Sequence, residues 1–177
     1  HVIPRPDPLK KYPDSGDSSK GSTPVRIALF QPDIPQNVAA VARLAACFGI
    51  GLDVIGPEGF VWDAQKLRRV GMDYLDAVEI VRHPGWAGFR AACGGRLVLL
   101  STKAAEPLPE FAFRADDVLL FGRESAGVPD EVHAAADARV VIPIRAETRS
   151  LNLASAAAIA LAEALRQTGG FPGLQAK

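Results

Sequence analysis

Polar and charged residues that could do chemistry gather in three short stretches separated by apolar ones. The first is Gln31-Pro32-Asp33-Ile34-Pro35-Gln36-Asn37, with Arg43 six residues further on. Arg43 sits among Val41, Ala42, Leu44, Ala45 and Ala46, so its guanidinium is either solvated at a helix edge or held in a site or interface. The second is Gly122-Arg123-Glu124-Ser125-Ala126-Gly127, directly after Leu119-Leu120-Phe121. Glu124 there is either a solvated turn residue or a carboxylate aimed at a ligand, and the flanking glycines let the backbone approach closely. The third runs from Ile142-Pro143-Ile144 through Arg145-Ala-Glu-Thr-Arg149 to Ser150-Leu151-Asn152. Ser150 suits the N-cap of the Ala-rich helix that follows. Asn152, placed in the first turn of that apolar helix, calls for a ligand or a neighbouring loop to satisfy it. A guanidinium, a carboxylate, a hydroxyl and an amide are groups that hold and orient a ligand through hydrogen bonds.

Other chemistries are poorly supported. Gly49-Ile-Gly51 does not match the dinucleotide fingerprint and precedes a strand rather than a helix. There is no phosphate-binding Walker loop and no Ser in a G-x-S-x-G setting, which argues against nucleotide-driven and serine-hydrolase chemistry. Cys47 and Cys93 lack metal-ligand spacing, no disulfide framework is present, and both read as small core residues. No metal is expected. His83 and His133 are isolated and read as surface residues. Trp62-Asp-Ala-Gln-Lys66-Leu-Arg68-Arg69, with Arg82 and His83, reads as a phosphate-binding patch or a solvated helix face.

These residues need a scaffold. The chain has 177 residues, 48% of them hydrophobic, enough for one sizeable core. Lys plus Arg and Asp plus Glu both number 20, so bulk charge does not make this a nucleic-acid binder, while a local basic site stays open. Residues 1–24 are rich in Pro, Ser, Asp and Lys and read as a flexible tail or tag remnant, with His1 a processed or tag-derived end. Residues 25–177 form the folded domain. No secretory signal and no membrane span are recognisable, and a reducing, cytoplasmic setting is expected.

Strands are predicted at Val25–Phe30, Leu52–Ile55, Ala77–Val81, Arg96–Ser101, Val118–Phe121 and Val140–Ile144. Helices are predicted at Val38–Phe48 after an entry at Pro35 and Asn37, at Pro84–Cys93, at Pro129–Ala136 and at Leu151–Arg166. Wholly apolar strands alternating with helices specify an α/β domain with a parallel sheet covered on both faces. Ligands of such sheets bind beyond the carboxyl ends of the strands, here the residues after Phe30, Leu100, Phe121 and Ile144.

Pro35-Gln-Asn37 through Arg43, Leu120-Phe-Gly-Arg-Glu124-Ser-Ala-Gly127, and Ile142-Pro-Ile through Ser150-Leu-Asn152 together resemble the three motifs of the SPOUT RNA methyltransferases. Within that superfamily the chain looks most like the TrmL subfamily, small tRNA 2′-O-methyltransferases of the wobble cytidine or modified uridine. Gly59-Phe-Val-Trp62-Asp63, Lys66-Leu-Arg-Arg69, Gly71-Met-Asp-Tyr74 and Ser101-Thr-Lys103 resemble the same subfamily. The likeness spans Val25 to about Pro172. It departs at Val38-Ala39, where the family usually has Thr-Gly, at Arg123, where Pro is common, and at Ala154, where Ser is frequent.

The resemblance implies a C-terminal deep trefoil knot, S-adenosylmethionine as cofactor, a homodimer, and tRNA, in its anticodon region, as substrate. It implies that Leu100, Ser101, Thr102, Gly122, Ile142 and Ser150 enclose the cofactor, with Glu124 and Asn152 beside it. It implies catalytic roles for Arg43, Ser150, Asn152 and Glu124, with Arg43 facing the ribose across the dimer. An Arg that stays protonated is a poor base, so Arg43 is expected to orient the hydroxyl or stabilise the forming alkoxide. Lys66, Arg68, Arg69, Arg82, Arg145 and Arg149 are the expected RNA contacts. Two readings compete: a SPOUT enzyme acting on another RNA, and a non-catalytic RNA-binding knot protein.

Overall fold

The computed structural model describes residues 24–69 and 74–173. The proposed tail, apart from Pro24, and Gly71-Met-Asp73 of the subfamily resemblance lie outside the described residues. Seven parallel strands form one sheet in the order β3-β2-β1-β6-β4-β7-β5. They are β1 (Arg26–Phe30), β2 (Gly51–Ile55), β3 (Ile80–His83), β4 (Leu97–Leu100), β5 (Glu106–Pro107), β6 (Val118–Phe121) and β7 (Ala138–Val141). The helices are α1 (Pro35–Phe48), α2 (Ala64–Arg69), α3 (Trp86–Ala92), α4 (Asp130–Ala135) and α5 (Leu153–Thr168).

Strand side chains alternate between the two faces. Ile27, Leu29, Val54, Val98 and Leu119 pack with α1 and α5, whereas Ala28, Phe30, Ile55, Leu99 and Leu120 pack with Phe89 of α3 and Val132 of α4. Both faces are buried, which is why β4 and β6 are apolar throughout. α1 stops at Gly49, whose left-handed backbone (φ 65°) lets its N–H reach back into the helix.

β7 lies between β4 and β5, although β5 follows β4 directly in the chain. The connection from Ser101 to Ala104 therefore crosses the end of β7, with Ser101 N–H donating to the Val140 carbonyl at 2.9 Å. This interleaving fits the knotted arrangement that the resemblance implies.

Several expectations shift. The strand expected at Ala77–Val81 begins at Ile80, where pairing with Leu52 of β2 starts. The strand expected to reach Ile144 ends at Val141, before Pro143, because its partner β4 ends at Leu100. Of the two cysteines expected in the core, Cys47 is exposed on α1, whereas Cys93, half-buried beyond α3, packs against the core on that face of the sheet. His83 is buried rather than on the surface, its Nε2 2.8 Å from Asp53 Oδ1. Asp53, wholly buried, also accepts from Arg26 Nε at 2.9 Å, and Glu79 meets Arg26 Nη1 at 2.9 Å. This cluster ties β1, β2 and β3 together, and His83 takes no part in a basic patch.

Candidate functional site

A cavity of about 370 Å³ lies beyond the carboxyl ends of β4, β6 and β7, next to the loop leaving β1. That is within the size range of small-molecule sites. The β4 end contributes Leu100, Ser101 and Thr102; the β6 end contributes Gly122 and Glu124; the segment after β7 contributes Ile142, Ser150 and Asn152. All eight residues assigned from the resemblance to a cofactor site are thus brought together around one space. The segment 142–152 is free of regular structure, so its backbone can follow the cavity wall.

The polar wall is a continuous chain of hydrogen bonds. Glu124 Oε2 accepts the Asp33 N–H at 2.8 Å, and Oε1 accepts Asn37 Nδ2 at 3.2 Å. Asn37 is buried, and its Oδ1 accepts from Asn152 Nδ2 at 3.0 Å. Asn152 Oδ1 accepts the N–H groups of Ala154 and Ser155 at 2.9 and 3.3 Å. The cap of α5 is therefore Asn152, not Ser150, and the helix begins at Leu153. One amide caps the helix and also joins α5 to α1, a helix where a ligand or a neighbouring loop was expected. Ser150 is left exposed on the cavity rim.

Glu124 is held in a tight loop rather than a solvated turn. Arg123 and Gly127 exchange backbone hydrogen bonds of 3.0 and 2.8 Å, and Gly127 has φ 66°. A Cβ on Gly122 would lie 2.6 Å from Gly127 backbone, so glycine is required there. Outside the carboxylate, Arg123 Nη2 pairs with Asp33 Oδ1 at 2.5 Å, and Ser125 Oγ donates to Asp33 Oδ2 at 2.6 Å. The Arg123 guanidinium and then the Ser125 hydroxyl hold the Asp33 carboxyl down at about 2. Arg123, where the family pattern has Pro, thus clamps the loop after β6 to the loop after β1.

Arg43 does not reach the cavity of its own chain. It lies six residues beyond Asn37, about 9 Å along the helix axis, on an exposed part of α1. Its guanidinium carbon stands 5.0 Å from the centre of the Tyr74 ring, with Nη2 3.4 Å from the Tyr74 hydroxyl. The expected RNA contacts form two groups. Lys66, Arg68 and Arg69 lie on α2, with Arg82 nearby across Trp62. Arg145 and Arg149 lie on the segment before α5, where Arg145 lines a depression sharing Ile144, Ser150 and Leu151 with the cavity. Arg68 pairs with Asp76, Arg82 with Glu58 and Arg145 with Glu147. Among the described residues Lys66, Arg69 and Arg149 have no acidic partner.

Sequence reasoning placed Asn37 at a helix entry and within the first motif but gave it no role in the site. The argument applied to Asn152, an amide in the first turn of an apolar helix, would have found it. The Asp33–Arg123 and Arg43–Tyr74 contacts span 90 and 31 residues and carry no local signal.

Comparison with known proteins follows the same lines. The profile of the SpoU rRNA Methylase family matches residues 24–162. A tRNA (cytidine(34)-2′-O)-methyltransferase of Beijerinckia indica is 58% identical over 148 residues, covering 82% of this chain and 92% of that protein. A solved structure described as giving insight into the 2-OH methylation of C/U34 on tRNA superposes with a TM-score of 0.77 at 42% identity, covering 83% of this chain and 97% of that one. An AdoMet-bound rRNA methyltransferase from Sinorhizobium meliloti superposes with a TM-score of 0.74 at 28% identity, covering 82% of this chain and 57% of that one.

Proposed function

The chain belongs to the SpoU rRNA Methylase family, and on that premise we propose that it is a tRNA 2′-O-methyltransferase acting on the ribose of nucleoside 34, a cytidine or modified uridine. The observation that carries the reading is the cavity at the ends of β4, β6 and β7, walled by the Glu124–Asn37–Asn152 chain.

The lining fits S-adenosylmethionine. Leu99, Leu100, Phe121, Ile142 and Leu153 offer apolar surface to a purine, and Ser101, Thr102 and Ser150 offer hydroxyls. The Glu124 carboxylate supplies negative charge for a cationic ligand, with acceptor capacity beyond its two hydrogen bonds. S-Adenosylmethionine supplies a methyl group already activated on sulfonium sulfur. The protein's task is to bind, orient and handle a proton. Transfer of that methyl to the ribose 2′-oxygen would leave S-adenosylhomocysteine, and the hydroxyl proton would pass to solvent or a neighbouring acceptor. Arg43, charged throughout, orients the hydroxyl and stabilises the developing oxyanion.

Arg43 lies outside its own cavity, so in this reading it serves the cavity of a second copy in a homodimer. The outer faces of α1 and α5 are suited to such pairing: Ala40, Ile159 and Ala162 are exposed there. Lys66, Arg69 and Arg149 supply phosphate contacts. No helix among the described residues is long and apolar enough to cross a membrane. A tRNA substrate is in keeping with a reaction in the cytoplasm.

The test is transfer of labelled methyl from S-adenosylmethionine to tRNA lacking the wobble-ribose methyl, followed by digestion to nucleosides. Label in a 2′-O-methylated nucleoside 34 is the expected result. Label at any other nucleoside would overturn the position while keeping the reaction class. Cofactor binding without transfer to any RNA would instead favour a non-catalytic role.

A further inference from the structure

We infer that Val61 and Arg82, backed by Trp62, form a stacking platform for an unpaired base next to the target nucleoside; this rests on the tRNA reading above. Val61 is 83% exposed, more than any other large hydrophobic among the described residues. Its neighbours explain why it stands out. Phe60 and Trp62 turn inward onto the core and stack at 6.2 Å with an interplanar angle of 24°. Val61 is thereby held outward between two anchored rings.

Arg82, on β3, covers the indole, its guanidinium carbon 4.5 Å from the ring centre. Its Nε and Nη2 both donate to Glu58 Oε1, at 3.1 and 2.9 Å. The plane of the guanidinium is thus fixed from below by the ring and from the edge by the carboxylate. The side chain remains 45% exposed. Because Glu58 already matches its charge, Arg82 is ill suited to gripping a phosphate. A fixed, neutralised guanidinium plane, stacked on the ring that follows the exposed Val61 in sequence, is suited to the face of a base.

Position supports the assignment. Gly59 N–H donates to the Pro32 carbonyl at 2.9 Å, and a Cβ on Gly59 would stand 2.7 Å from Asp33 Oδ1. The platform loop is therefore seated against the loop that carries Ile34 and Asn37 to the cavity. On the other side, Asp63 caps α2 by accepting the Gln65 and Lys66 N–H groups, and Asp76 pairs with Arg68. The charges left over on α2 are Lys66 and Arg69, placed to meet the backbone phosphates of the same strand. Base faces are accessible only in unpaired nucleotides, which makes the ligand a loop residue flanking nucleoside 34.

The experiment uses the full chain carrying Val61→Asp or Arg82→Lys. Lys keeps the charge and can still meet Glu58 but lacks the plane. Both positions are exposed, and S-adenosylhomocysteine affinity checks folding. The RNA probes are an anticodon stem-loop and a full tRNA transcript. Each variant should weaken stem-loop binding and raise the tRNA KM by about tenfold, as expected for loss of one stacked base, with cofactor affinity unchanged. Unchanged binding and KM in both variants, while the wild type still methylates nucleoside 34, would overturn the platform and leave the function standing. Dissociation of Val61→Asp into monomers would overturn it by assigning Val61 to an interface between copies. A wild type that neither binds nor methylates tRNA would remove both readings.

Discussion

The cavity wall and the outer face around α2 handle polar groups in opposite ways. In the wall, Glu124, Asn37 and Asn152 hold one another across separations of 87 and 115 residues, joining the loop after β6, the first turn of α1 and the cap of α5. On the outer face, Arg68 pairs only 8 residues away with Asp76 and Arg82 pairs 24 residues away with Glu58, while Lys66 and Arg69 have no acidic partner among the described residues. The wall is complete within one chain. The outer face and Arg43 leave charge and apolar surface for something else to meet. Changes in the wall should therefore disturb cofactor binding, and changes outside it should disturb RNA handling or turnover.

Arg43→Ala tests that division most severely. Loss of one transition-state donor costs about 10²–10³ in rate in comparable cases. A fall of that size in kcat, with S-adenosylhomocysteine affinity unchanged, is expected from single-turnover kinetics and calorimetry. Mixed dimers sharpen the comparison. One subunit carrying Arg43→Ala and the other Glu124→Ala should regain activity, because one intact cavity then faces one intact Arg43. Absence of rescue would put Arg43 to work in its own chain.

Asn152→Ala comes next, since it breaks the wall and the cap together. Loss of an N-cap costs about 1 kcal/mol, read as a lower urea midpoint at unchanged m-value. Cofactor affinity should fall as well, because Asn37 loses its donor partner and Glu124 loses its brace. Asn152→Asp separates the two roles: Asp still caps α5 but cannot donate to Asn37. It should keep the stability and lose the affinity. Equal loss of both in the two variants would reduce Asn152 to a cap.

The centre of the sheet was largely legible because β4 and β6 are buried on both faces and read as uninterrupted apolar runs. Val118–Phe121 is predicted and found with the same bounds. Edges were less legible: Ile80–His83 lies three residues beyond the expected start, since only pairing with β2 fixes it. The two-residue β5 has no pattern of its own. The eight cavity residues followed from the resemblance, on segments at or after the ends of β4, β6 and β7. What the sequence hid is contact across distance. His83 resembles any lone histidine until the sheet puts Asp53 beside it, and Arg123 resembles a solvated cation until Asp33 arrives from the other loop.

That last pair gives the smallest effect and the finest test of the wall. Asp33 is held at about 2 first by the Arg123 hydrogen bond and then by the Ser125 hydroxyl. A carboxyl lowered in the folded state contributes stability that is fully present above its ordinary value of 3.8 and lost as pH falls through about 2. Carboxyl carbon NMR should therefore find Asp33 ionised well below pH 3.8, and Arg123→Met should move its titration up toward the ordinary range. The stability gap between wild type and variant should be flat at neutral pH and close as Asp33 protonates. A midpoint unmoved by Arg123→Met would mean that Ser125 alone sets the carboxylate. The Arg would then be an ornament of the rim, and the loops after β1 and β6 would owe their junction to Glu124 and the Asp33 N–H.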